Sequence, residues 1–506
     1  MARTIFISII SIFILSCSKS SAIISTDNSC SVEIVSQLRN PYTQPSEPSL
    51  IGHPTHRYVK FKIYNIEQYR NLEAQGVFLL DHPFDAVPDK DLNYKTVRTH
   101  QYGIYYGVVP AGVDLKSLDA EVIADLYMPE NGVTGKISGD EAKEFNGKLT
   151  FFDPIDSVQV PLEGAKIIIR EGTKTVNGIT DKDGKFHIAT SQLLSDTLEV
   201  LIKFDNDYLE IHTLDLASLS AVFGTNIYSL GYKKTCALTN LNIEVGRQMN
   251  NAALHHSCAA LFALNKFKEF AKHSDFLMPD KKFLFWIGRE APISTSYATP
   301  MLRNMSQQNI SNPQLLLTNL LGLPADLAGI LAVIIKDQLP DIYAPYYARY
   351  STAARASFIE TMFHELGHAS QYAQVGPSYW LPYVELIYNN GGYGDPTLPN
   401  SGIVGLSEAW AEDISNICAY YVYHKQKYLD LNEEPFEDWI PYGIYHDLND
   451  EGSNEDFDQV SGFSFPQLYS FLTTDTRSLA ALKTKLKNAR PDQQTAIDTL
   501  FSHYGY

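Results

Sequence analysis

Residues 363–369 read Phe-His-Glu-Leu-Gly-His-Ala, so His364 and His368 stand four apart with Glu365 beside the first. On a helix this spacing is about one turn, and both imidazoles face the same way. They can therefore hold one metal ion. Glu365 lies next to them, where its carboxylate can reach a water on that ion but not easily the ion itself. The chemistry of such a set is hydrolysis. A zinc-bound water of pKa about 7 gives its proton to the glutamate and attacks a carbonyl. Zinc in that role takes three protein ligands and keeps one position open.

Two histidines leave a third ligand to be found. A metzincin-type extension of the motif would need Gly at 371 and His at 374, and both positions are Gln. Downstream, Gly405-Leu-Ser-Glu-Ala-Trp-Ala-Glu-Asp-Ile414 is a second helical text with carboxylates at Glu408 and Glu412, again one turn apart. One helix with two histidines and a later one with Glu-Ala-x-x-Glu resembles the gluzincin metallopeptidases. That resemblance implies Glu408 as third zinc ligand, Glu412 as the carboxylate that orients a ligand histidine, Glu365 as general base, and a peptide or protein substrate. Glu412 itself and Asp395, in Gly392-Tyr-Gly-Asp395, are the rival third ligands. For the oxyanion of a tetrahedral intermediate the chain offers Tyr393, Tyr445 and His446 as donors.

The elements that must position these groups follow from composition and spacing. Ala353 to Gln374 contains no Pro and one Gly, which predicts a continuous helix. Further helices are expected at 313–322, 325–338, 405–426 and near 478–503. The Gly/Pro/Asn-rich stretch 376–403 reads as connecting text, with Asn389–Gly394 at the rim of the cleft. Phe283–Ile287 is a buried strand, expected to be the edge strand that holds an extended substrate. Ser294–Leu302 follows it as a loop that shapes the cleft or simply lies on the surface.

Upstream, Gly147 to Leu214 switches to period two. Lys148–Phe152, Ala165–Ile169 and Phe186–Ile188 are strand-like, with the hairpin text Asp181-Lys-Asp-Gly-Lys185 before the last. Together with Pro161-Leu-Glu-Gly-Ala165, these turns resemble the transthyretin-like, carboxypeptidase-regulatory type of domain, an accessory antiparallel sandwich. Arg57 to Met128 mixes short strands with a polar helix and reads as a small α+β domain. The expected fold is thus multi-domain: a leader at 1–16, a tether at 17–45, an α+β domain at 46–140, a β-sandwich at 141–215, and a mainly helical, zincin-like domain with a small sheet at 216–506.

The N-terminus carries its own motif. After Met-Ala-Arg comes a dozen apolar residues, too few for a permanent span and fitting a secretory leader. Its end, Ile14-Leu-Ser-Cys17, resembles a bacterial lipobox. That implies a lipid on Cys17 and, with Ser18 following, an outer-membrane address with the lipid anchor as the only membrane contact. Leu315–Ile335 is apolar but interrupted by Asn319, Pro324 and Asp326, which argues for buried helices rather than a span.

Composition bounds the rest. The chain has 506 residues and a net charge of −18, which argues against a nucleic-acid partner. Five cysteines do not make a disulfide framework. Cys236 and Cys258 are the pair that could bridge, whereas the apolar settings of Cys258 and Cys418 suit buried thiols. Asp447–Asp458 places oxygens and a Gly at EF-hand-like positions, but with Glu at position 5 and Asp at position 12 it reads as a solvated acidic loop.

Overall fold

A computed structural model of the chain describes residues 56–80, 103–126, 143–214, 227–246, 252–289, 340–346, 352–428 and 436–506, with short internal breaks. The leader, Cys17, the tether, the helices expected at 313–322 and 325–338, and nearly all of Ser294–Leu302 lie outside the described residues. The molecule has both helices and antiparallel sheets. Among the described residues no helix is long and apolar enough to cross a membrane.

Strands β1 (His56–Ile63), β2 (Leu79–Leu80), β3 (Gly103–Pro110) and β4 (Asp119–Leu126) form one antiparallel sheet in the order β2-β3-β1-β4, with helix α1 (Ile66–Ala74) after β1. Alternation sets its faces. Val59, Phe61 and Ile63 point into a separate small core with Leu72, Val77 and Val109, while Tyr58 and Val108 join the main core.

The sandwich takes its strands from a wider stretch than local pattern suggests. β5 (Lys143–Asp153), β6 (Val158–Pro161), β7 (Lys166–Glu171), β8 (Lys174–Ile179), β9 (Lys185–Thr190) and β10 (Thr197–Lys203) are followed by β11 (Leu209–Leu214), β12 (Ile227–Lys234) and β13 (Leu241–Val245). One sheet runs β12-β10-β7-β8, and in the other β5 is flanked by β13, β6 and β9. All pairs are antiparallel except β13 on β5. β11 leaves the sandwich and pairs in parallel with β14 (Phe283–Arg289). Strand pairing therefore runs across residue 215.

β14 is also the correction to the expected substrate edge. It sits between β11 and β15 (Ile342–Tyr346), both parallel to it, so its backbone groups on both sides are engaged in the sheet. The outer strand on that side, among the described residues, is β15.

The helical part is built from α2 (Ala252–His273), α3 (Thr352–Val375), α4 (Pro377–Asn390), α5 (Ser401–Tyr423), α6 (Ile444–Asn449), α7 (Phe465–Phe471), α8 (Leu479–Ala489) and α9 (Gln494–His503). α4 occupies what reads as connecting text. Pro377 suits its first turn, and Pro382 forfeits only one early backbone bond. Tyr379, Trp380, Tyr383, Val384 and Ile387 form its buried stripe at helical spacing.

Charged groups are among the ties that bind the sandwich to this part. Lys425, just past α5, donates to the Ile155 carbonyl at 2.6 Å and pairs with Asp156 at 3.0 Å. Asp205 lies among Lys166, Lys203 and Lys282, the last of which comes from the helical part. Cys258 and Cys418 are free and buried. Cys236 is disulfide-bonded, so a Cys236–Cys258 bridge does not form.

Candidate metal centre

α3 presents His364 and His368 to the same side, with ring centroids 4.8 Å apart and planes at 86°. α5 crosses against this face. Gly367 makes the approach possible, since a Cβ there would lie 3.3 Å from Ala411 Cα and 3.5 Å from the Ile414 side chain. The glycine inside the motif thus sets how close the second helix comes, and hence where Glu408 ends.

Glu408 ends on the histidines. Its Oε2 lies 3.2 Å from His364 Nε2 and 3.5 Å from His368 Nε2. One ligand atom from each of the three residues falls within 4.8 Å of the others, a group that can hold a metal ion. Glu408 and His368 are almost completely buried, and the His364 side chain is 15% exposed, which leaves a way in from solvent.

The carboxylate is held from both ends. Tyr383 donates to Glu408 Oε1, and Tyr393 donates to Oε2 at 3.1 Å. Glu412, one turn along α5, places its Oε2 3.2 Å from His364 Nδ1. A ligand histidine fixed through its second nitrogen is the usual device for aiming the first. His368 is fixed differently. Its Nδ1 is buried without a hydrogen-bond partner, and its ring meets Trp380 edge-on at 5.5 Å.

Electrostatics follow from this crowding. Burial works against a charge on His364, but its bonds to Glu408 and Glu412 outweigh that and hold its pKa well above the usual value. For Glu408 the balance runs the other way. Burial alone would raise it, and the two histidines instead keep it strongly ionised. Burial pushes Glu365 well above the usual carboxylate range, helped by the Glu408 charge and opposed by His364. Glu365 Oε2 is buried and has no hydrogen-bond partner. Two imidazole nitrogens and a carboxylate at one point, beside a carboxyl group with an unused oxygen, are a donor set that fits a metal ion.

The structure brings together His364, Glu365, His368, Glu408, Glu412 and Tyr393. It leaves out Asp395, whose exposed carboxylate closes its own turn onto Thr397 N and Oγ1 at 2.8 and 2.7 Å. Tyr445 is buried against Trp410, with its hydroxyl 3.5 Å from the Leu406 carbonyl. His446 makes no hydrogen bond to the group among the described residues. Tyr383 was not visible in the sequence as part of the site. Its signal was there in the apolar stripe of α4, masked by two prolines.

No protein-family model matches this chain, nor does any curated protein or solved structure. The geometry stands alone.

At Asp447 and Asp458 the acidic run at 447–458 is not the solvated loop expected from the sequence. Asp447 lies within α6 and its Oδ2 accepts from Tyr504 at 2.7 Å, Asp458 is fully buried, and residues 451–456 lie outside the described residues.

Proposed function

We propose that this protein is a zinc-dependent peptidase of gluzincin type, with His364, His368 and Glu408 as ligands and Glu365 as general base. The observation that carries the reading is the buried, unpartnered Oε2 of Glu365 beside a three-residue ligand group. A structural zinc site closes with four protein ligands, whereas three leave a position for water. Held by His364, His368 and Glu408, zinc would supply Lewis acidity.

The chain's own residues do the rest. Glu365 accepts the proton of the attacking water and returns it to the departing amine. Tyr383 and Glu412 keep Glu408 and His364 aimed. Tyr393, whose hydroxyl donates to Glu408 Oε2, would turn that hydrogen to the oxyanion, and β15 would pair with an extended peptide. The lipobox-like Ile14–Cys17 supports a lipid-anchored, outer-membrane location, with the N-terminal sheet and the sandwich as accessory modules.

The deciding experiment is metal analysis and a quenched-peptide library on wild type and on Glu365→Gln. The reading requires one zinc in each and cleavage by wild type alone. Zinc without cleavage of any peptide would move the chain to a non-protein substrate or to a binding lipoprotein with structural zinc.

A further inference from the structure

The sandwich carries a pocket of about 660 Å³ that none of the chemistry above uses. It opens on the outer face of β13, β5 and β9, and strand register dictates what lines it. Asn242 pairs with Lys148, which pairs with Lys185, so these three stand side by side. One step along the same face come Asn146 and His187, also register partners, with Asn240 just before β13. All six line the pocket. The inward row between them, Leu241, Gly147 and Phe186, belongs to the sandwich interior.

The array is rich in hydrogen-bond donors, with the apolar Ile179 and Phe186 in the same lining. Every one of the six side chains can donate a hydrogen bond. His187 Nδ1 lies 2.6 Å from Asn146 Oδ1, which holds the carboxamide so that its NH2 can donate outward. The carboxylate in the lining, Asp181, is turned back onto the Asp183 and Lys185 amides at 2.9 and 2.8 Å. Lys148 and Lys185 face each other directly across the strands, an arrangement that costs stability unless an anion lies between them. Lys185 has only the exposed Asp183, 3.6 Å away, and Lys148 forms no ion pair among the described residues. In a chain of net charge −18 this is a local positive, donor-rich hollow.

We propose that this hollow binds an acidic sugar residue of a glycan, its carboxylate or sulfate at Lys148 and Lys185 and its hydroxyls on Asn146, Asn240 and Asn242. The pocket lies on a sheet face, so a ligand in it meets side chains rather than a row of backbone groups. Carboxamides spaced at the inter-strand distance of about 5 Å match neighbouring sugar hydroxyls instead. No aromatic ring is exposed in the lining, which disfavours a neutral glycan held by stacking. Glu144 and Glu244 stand one step beyond the array at either end, limiting the anion to the centre.

The test is calorimetric binding of the purified full chain to oligogalacturonate, a heparin oligosaccharide and a sialylated oligosaccharide. Methyl-esterified oligogalacturonate and poly-glutamate serve as the neutral and peptide counterparts. Binding of at least one acidic oligosaccharide is expected, weakened tenfold or more by Lys148→Gln and by Asn242→Ala, with zinc content unchanged in both. Loss of binding on esterification and weakening in salt would accompany it. The proposal is overturned if none of the three acidic glycans binds, if poly-glutamate binds as tightly, or if both variants bind like wild type. It stands or falls independently of peptidase activity.

Discussion

Tyr383 donates its hydroxyl hydrogen to Oε1 of Glu408, the carboxylate oxygen that neither histidine approaches. The ring of Tyr383 packs against Trp380 at 4.4 Å, which in turn meets His368. One residue of α4 therefore steers a ligand from α5 while its neighbour steers a ligand from α3. Tyr383→Phe keeps the packing and removes the steering. Zinc affinity, measured by competition with a chelator, should fall by about 10- to 100-fold. An unchanged affinity would mean that Glu408 is positioned by its helix alone.

On the proposed peptidase reading, Glu365→Gln keeps size and removes the base. Turnover should drop by about 10²–10⁴, with one zinc still bound. Retained activity would assign the proton transfer elsewhere.

Helix spacing gives a prediction remote from the reacting groups. At Gly367 a larger side chain must push α5 away, because the nearest atom is the Ala411 backbone rather than a flexible side chain. Gly367→Val should destabilise by about 1–3 kcal/mol in chemical denaturation and weaken zinc binding with it. Stability lost with zinc affinity intact would show that the seam relaxes without moving Glu408.

How much of this was legible beforehand depends on how local each signal is. The two helices that bring His364, His368 and Glu408 together were, since these residues sit in texts whose spacing needs no partner to interpret. The cores of β5, β7 and β9 were also readable from their short strand-like runs. What was not readable is pairing between distant segments. Nothing local in Ile227–Lys234 or Leu241–Val245 says that they complete the sandwich, and nothing in Phe283–Ile287 says that it lies inside its sheet. α4 failed for the opposite reason, a true helical stripe overruled by Pro377 and Pro382.

Acid should unfold the protein through α2. His255 Nε2 donates to the Phe152 carbonyl at 3.0 Å and His256 Nδ1 to the Ala252 carbonyl at 2.7 Å. Burial, with the Arg355 charge, depresses their pKa values to about 3 and about 4. The folded state then binds fewer protons than the unfolded one. Their contribution is fully present above the unfolded value near 6.5 and is lost as pH falls toward 4. For His256 the loss is on the order of 3 kcal/mol. Denaturation curves at pH 8, 6 and 5 should steepen in their pH dependence for wild type and flatten for His256→Gln. Parallel curves would place the acid-sensitive step elsewhere.

The excursion of β11 out of the sandwich bears on how the chain can be made. A ribosome that has released residues up to 215 has finished neither sheet: β10 still lacks β12, β5 still lacks β13, and β11 awaits β14. Until about residue 290 emerges, the nascent chain carries bare strand edges of the kind that recruit other chains. A gene fragment ending at 215 freezes that moment and should yield aggregate, whereas one running through β15 and the helices gives β10, β5 and β11 their mates.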